Sequence, residues 1–362
     1  MKLSAGCGPP VHASCGRTRH DTADAESDDG RALGEVADVA LAMSQILALI
    51  LPFFGLLALG YGTGRFRFVA QEGAAALEFF VLYLALPAFF FSAIVDSPGS
   101  TEGAVSFVLT TTFATYCAFA VAFSIAALVN RGNVPEATVQ GLAGSYSNTA
   151  YLAPALVIAA FGPAAAVPAA LIFAFDHALL YVATPLMMAL GGTVRTDPLR
   201  LAREMARNVF VHPIVIATAL GLVFLAVGIR LPAPVDGIVV LLAGAAAPVA
   251  LFALGLALSF RPLGKPSLEI PPIVVSKLIV HPFIAYLLLS WVGGFDRVWV
   301  STGVLLAALP PALDVLSMAR RYRVQDDGVS TSILLAIATS VVTVTVALIL
   351  LTSGILPSDP FR

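Results

Sequence analysis

From residue 44 to residue 353 the chain alternates long apolar runs with short polar loops, and each run is close to the length a helix needs to cross a bilayer. About 20 residues rising 1.5 Å each span the hydrocarbon. Hydropathy and turn signals predict ten spans, near 44–62, 73–95, 104–129, 138–161, 166–190, 208–228, 235–259, 270–293, 299–319 and 329–353. Hydrophobic residues make up 59% of the 362 and charged residues only 12%, a balance foreign to soluble domains of this size. The expectation is an all-α polytopic membrane protein with no inserted soluble domain. Cys7, Cys15 and Cys117 offer neither a disulfide framework nor metal-ligand spacing. No G-x-x-x-x-G-K-[ST] phosphate loop occurs, which argues against direct drive by ATP.

Two of these runs are interrupted. Thr138 to Phe161 reads TVQGLAGSYSNTAYLAPALVIAAF, with Gly144-Ser145-Tyr146-Ser147-Asn148-Thr149 at its middle and Pro154 just beyond. Small and polar residues at that depth fit helix–helix packing, where Gly and Ser allow close approach. They also fit a broken helix lining a polar cavity, the setting in which irregular backbone is tolerated inside a membrane. Val298 to Arg321, VWVSTGVLLAALPPALDVLSMARR, carries Pro310-Pro311 centrally and then Asp314. A central Pro-Pro removes backbone donors and clashes with the preceding turn, so this helix should break or kink. Paired interruptions in two halves of a chain point to a transporter binding site.

The halves match at a nearly fixed offset. Pro52, Ala58, Leu59 and Gly60 recur 161 residues later as Pro213, Ala219, Leu220 and Gly221, and Pro87 and Phe91 as Pro248 and Phe252. Gly141 meets Gly303 at 162, which sets Asn148 opposite Pro310. Five spans per repeat is odd, so the second repeat, 193–362, enters from the side opposite to the first, 43–192. Two inverted five-helix repeats with broken spans 4 and 9 are therefore expected. One set of loops holds Arg65, Arg67, Arg131, Arg195, Arg200, Arg203, Arg207, Arg261, Lys265, Arg320, Arg321 and Arg323, against Arg230, Arg297 and Arg362 on the other side. This asymmetry assigns the first set to the cytoplasm and both termini to the outer face of the inner (plasma) membrane. Residues 1–42 contain 7 acids, 4 bases and no apolar run, so they are expected to be disordered, with Met43 as the natural start.

Polar residues within the spans are the candidate site. Asn148 at mid-depth is expected to contact a ligand, with Ser147 and Thr149 beside it, while Pro310 and Pro311 set the opposing break. Asp176, at the centre of span 5, should face a cavity or be protonated, as a coupling-ion or proton residue or as a buried acid held by a hydroxyl. His177 beside it points about 100° away and reads as a packed histidine. Asp314 has two readings, a cation or proton site and a cap on the half-helix that follows the break. Lys277 and His281 share a helix face, and Lys277 is expected to snorkel to the cytoplasmic surface. Glu78 is assigned no role.

SYSNTAYLAPALVIAAFG resembles the first crossover helix of the auxin efflux carriers, and AALPPALDVLSMARRYRV with VSTSILLAIATSVVTV resembles their second crossover and final helix. The lysine in VSKLIVHP and the order of spans resemble bacterial members, over about 43–362. The chain departs from the pattern at His212-Pro213, where Asn-Pro is usual, at Ala150, where glycine follows Asn-Thr, and at Val315, where some relatives carry a further proline. The resemblance implies a ten-helix carrier of small organic anions such as malonate, malate, lactate or auxin, with a fold like that of sodium–proton antiporters and bile-acid carriers. It implies a scaffold from the first two helices of each repeat and a moving domain from the last three, as in an elevator. The function expected is thus secondary active transport of a mono- or dicarboxylate. The rivals are a cation–proton antiporter using Asp176 and Asp314, and an intramembrane enzyme with an Asp–His pair. Against the enzyme, Asp176 and His177 do not face each other and no nucleophile or metal set accompanies them. No cofactor is expected beyond a coupling ion, H+ or Na+. The expected partners are the anion, the lipid bilayer and a second copy of the chain through the scaffold helices, and no nucleic acid.

Overall fold

The computed structural model describes residues 44–97, 103–192, 197–261, 270–324, 327–353 and 356, and the leader at 1–42 with Met43 lies outside them. Long helices are α1 (Ser44–Arg65), α2 (Gln71–Val95), α3 (Ala104–Val129), α6 (Pro163–Leu190), α9 (Ala233–Ser259), α10 (Ile270–Val292) and α13 (Asp327–Thr352). Between them lie two pairs of short helices, α4 (Val134–Ala143) with α5 (Ala153–Phe161), and α11 (Arg297–Ala308) with α12 (Asp314–Arg321). A third pair, α7 (Pro198–Phe210) and α8 (Pro213–Val227), is bent by 58°. Seven of the described helices are long and apolar enough to cross a membrane, eight if the bent pair counts as one span. The chain is an all-helical polytopic membrane protein, and its outer belt of exposed Phe79, Leu109, Phe113, Phe283 and Trp291 is what lipid covers.

The bend before α8 was not visible as a separate helix in the hydropathy pattern. His212 precedes Pro213 and adopts the extended conformation (φ −68°, ψ 129°) that a following proline ring favours. The helix therefore restarts at Pro213, and α7 is left as an amphipathic segment with its Arg200, Arg203 and Arg207 exposed. Several other prolines sit inside spans without ending them, and three of these share a device. Pro87, Pro185 and Pro282 each follow a single π-helical turn, at Val81–Ala85, Leu179–Ala183 and Ser276–Val280 respectively. A π turn widens the backbone where the missing N–H and the ring would otherwise collide with the preceding carbonyl.

Small residues set how closely the helices of the two halves approach. A Cβ on Gly60 of α1 would lie 2.0 Å from the Phe252 carbonyl oxygen of α9, and one on Gly255 would lie 1.9 Å from the Leu57 oxygen. Gly60 and Gly64 thus face Gly255 and Ser259, the small-xxx-small contact that lets backbones touch in lipid. Gly221 of α8 lies over Phe91 and Ile94 of α2 in the same manner. Gly141 packs on Phe119 and Phe123 of α3, and Gly303 on Leu289 of α10.

Candidate functional site

Both pairs of short helices begin as ordinary capped helices. Asn133 caps α4, its side-chain oxygen accepting from Glu136 N at 3.4 Å, and Asp296 caps α11 by accepting from Val298 N at 2.7 Å. Helix α11 ends because Leu309, ahead of Pro310, is driven to an extended conformation (φ −65°, ψ 151°). Helix α4 ends at Gly144, and residues 144–152 run irregularly until α5 begins.

The two breaks meet. Asn148 N donates to the Pro310 carbonyl at 2.9 Å, and Ala312 N donates to the Tyr146 carbonyl at 3.3 Å, pairing Ser147 antiparallel with Pro311. Each break thus supplies a partner for backbone that the other leaves open, as buried backbone demands. Ser147, Asn148, Thr149, Pro310 and Pro311 therefore lie together, and all are buried, with Asn148 0% exposed. Asn148 Oδ1 accepts from Tyr151 N at 3.2 Å. Its Nδ2, together with Ser147 Oγ and Thr149 Oγ1, has no partner among the described residues. A buried unsatisfied polar atom costs about 1–3 kcal/mol, so three in consecutive residues mark this crossing as unusual in a buried interior.

A second buried polar group lies behind the crossing. Thr115 Oγ1 of α3 donates to Asp176 Oδ1 of α6 at 3.1 Å, and its oxygen is 3.3 Å from His281 Nε2 of α10. His281 Nδ1 is 3.1 Å from Lys277 Nζ, which donates to the Ala307 carbonyl at 2.5 Å. Lys277 does not snorkel: it is 0% exposed. The π turn that begins at Ser276 places two successive side chains on the two breaks. Ser276 Oγ donates to the Gly144 carbonyl at 3.2 Å, at the end of α4, and Lys277 serves the end of α11. Each half-helix thus has one of its orphan C-terminal carbonyls answered from α10.

Asp314 does not cap α12. It is the first helical residue, half-buried, and the cap position is Leu313, with no side-chain cap hydrogen bond. Asp176 and His177 do not form a pair either. The His177 ring packs among Phe173, Tyr181 and His212, with centroids 5.4, 4.4 and 4.2 Å away, and its nitrogens have no partner among the described residues.

The family model described as "Membrane transport protein" matches residues 45–348. The chain belongs to this family, that of the auxin efflux carriers. A protein of Rhizobium meliloti (strain 1021), named "Putative malonate transporter", is 42% identical over 319 residues, covering 88% of this chain and 100% of that one. As a member of the auxin efflux carrier family, the chain is a multi-pass membrane transport protein. The roles of Thr115 and Ser276 in this family member carried no sequence signal, because hydroxyls are common in its spans. The i, i+4 spacing of Lys277 and His281 was visible, but their burial behind the breaks was not.

Proposed function

We propose that this carrier is a secondary active transporter of small organic anions, with a dicarboxylate of the malonate class as its first substrate. The observation that carries the reading is the unpaired set Asn148 Nδ2, Ser147 Oγ and Thr149 Oγ1 at the crossing of two broken helices. An anion's carboxylate oxygens accept from such donors, and charge-assisted bonds are the strong ones. The name of the Rhizobium relative supports malonate as the place to begin. In this reading α4–α5 and α11–α12 each cross the membrane as one broken span, making ten spans in two inverted repeats. The glycine contacts support it: Gly60 on Phe252 and Gly221 on Phe91 are the same pair, with partners exchanged, at the 161-residue offset. The close contacts α1–α9 and α8–α2 would be the scaffold of an elevator, and the two crossed breaks its moving site. Both termini face outward at the plasma membrane, and Asp176 and Asp314 are the candidate coupling residues.

The test is uptake into proteoliposomes holding the purified protein, with labelled malonate, malate, succinate and lactate. Saturable accumulation of at least one carboxylate, lost in Asn148→Ala, is the expected result. A carrier that accumulates none of them under any ion gradient would refute the anion reading.

A further inference from the structure

The buried group behind the crossing has an internal direction. An ammonium has no acceptor, so Lys277 donates to His281 Nδ1, and the neutral imidazole then carries its proton on Nε2 and donates to Thr115 Oγ1. That leaves the single hydroxyl proton of Thr115 for Asp176 Oδ1. Every bond in the chain thus runs one way, from a cation to a carboxylate, with four side chains from α10, α3 and α6 in line. Among the described residues, few groups act electrostatically on its ends. Asp176 and Lys277 act on each other, His281 is acted on by Lys277, and Tyr116 and Tyr146 are within reach of Asp176.

We propose that Lys277, His281, Thr115 and Asp176 form a proton wire that couples transport to protons by setting how firmly Lys277 holds the end of α11. This rests on the transport reading above. Reversing the wire takes three hops. A proton leaves Lys277 Nζ for His281 Nδ1, another leaves Nε2 for Thr115 Oγ1, and the hydroxyl proton of Thr115 passes to Asp176 Oδ1. Three N–H or O–H bonds break and three form, so nothing is gained or lost. Before the hops an ammonium grips the Ala307 carbonyl at the negative end of a helix dipole; after them a neutral amine does. Charge-assisted bonds are about twice as strong as neutral ones, so the half-helix beside Pro310 is held tightly in one state and loosely in the other. Thr115 can also turn its proton to the Thr111 carbonyl, 3.2 Å away, which breaks the wire and leaves Asp176 free to exchange a proton with whichever side has opened. A cation tethered on a side chain stands at the break, so the cycle needs a proton and no sodium ion.

Thr115→Val keeps the shape and removes the relay. In proteoliposomes, wild-type malonate uptake should respond to a pH gradient and be indifferent to sodium. Thr115→Val should lose the gradient response roughly tenfold or more, the worth of a hydrogen bond to a charged group, and Thr115→Ser should restore it. Wild-type uptake driven by sodium and not by a pH gradient would overturn the proposal, as would an unaltered gradient response in Thr115→Val. The wire also has a readout that needs no transport. The infrared carboxyl band of Asp176 in purified protein, identified by its loss in Asp176→Asn, should respond differently to pH in Thr115→Val and in Lys277→Met. An identical response in wild type and both variants would sink the wire. If wild type takes up no carboxylate yet the infrared response changes as described, the anion reading fails and the wire stands.

Discussion

Replacing Asn148 by alanine removes an acceptor that has a partner and a donor that has none. Leaving the buried Tyr151 N without its 3.2 Å acceptor costs about 1–3 kcal/mol, and removing a buried unpaired amide nitrogen returns about 1–3 kcal/mol. These changes oppose each other, so the ligand-free protein should keep its stability to within about 1 kcal/mol. With an anion bound, Nδ2 donates to a carboxylate, and that bond is worth roughly 1.5–3 kcal/mol, or about 10- to 150-fold in Kd. Ligand-induced thermal stabilisation reads this directly. At a concentration of about 100 Kd the wild type gains about 2.7 kcal/mol. A variant weakened about 30-fold gains under about 1 kcal/mol at the same concentration. The assay uses purified wild type and Asn148→Ala with malonate and a panel of other mono- and dicarboxylates. Equal stabilisation of the two proteins by a carboxylate that is transported would refute a binding role for Asn148. A large loss of stability without ligand would show that the Tyr151 bond is its purpose.

Pro310→Ala restores a backbone donor and should let α11 extend toward α12, cutting uptake while leaving the protein folded; undiminished uptake would mean the break needs no proline. Asp176→Asn keeps an oxygen for Thr115 and should stay folded, but its uptake should no longer respond to a pH gradient, which a gradient-driven assay decides. Gly255→Val drives a side chain into the Leu57 carbonyl 1.9 Å from its Cβ, and should lower stability by about 3 kcal/mol or more in a thermal melt. Arg321→Gln breaks the ion pair with Glu204, whose side chains are 46% and 47% exposed. That pair is worth about 1 kcal/mol at most, and a larger fall in the same melt would show it has a further role.

What could be read in the chain follows from short-range rules. Twenty apolar residues cross a bilayer wherever they occur, so the long helices were expected within a few residues of where they lie. Pro310-Pro311 and the Gly144–Thr149 run break helices for local steric reasons, and both breaks are present. Asn148 and Pro310 stand 162 residues apart in the two interrupted runs, and the structure brings them together. The pairing of Asn148 N with the Pro310 carbonyl, by contrast, depends on where two distant segments come to rest. Lys277 shows the limit most clearly. From its distance to the end of the span it should reach water, yet the packing of α10 against α3 and α11 closes every exit, and its charge is spent on the Ala307 carbonyl. By itself the sequence determined the class of the protein, the positions of the breaks and the donors at the crossing, because these depend on hydrophobic length and backbone chemistry. Tertiary structure alone decided which orphan carbonyl each side chain of α10 answers, and so joined Thr115, Asp176, His281 and Lys277, because a hydrogen bond depends on position to within tenths of an ångström and no local pattern encodes that.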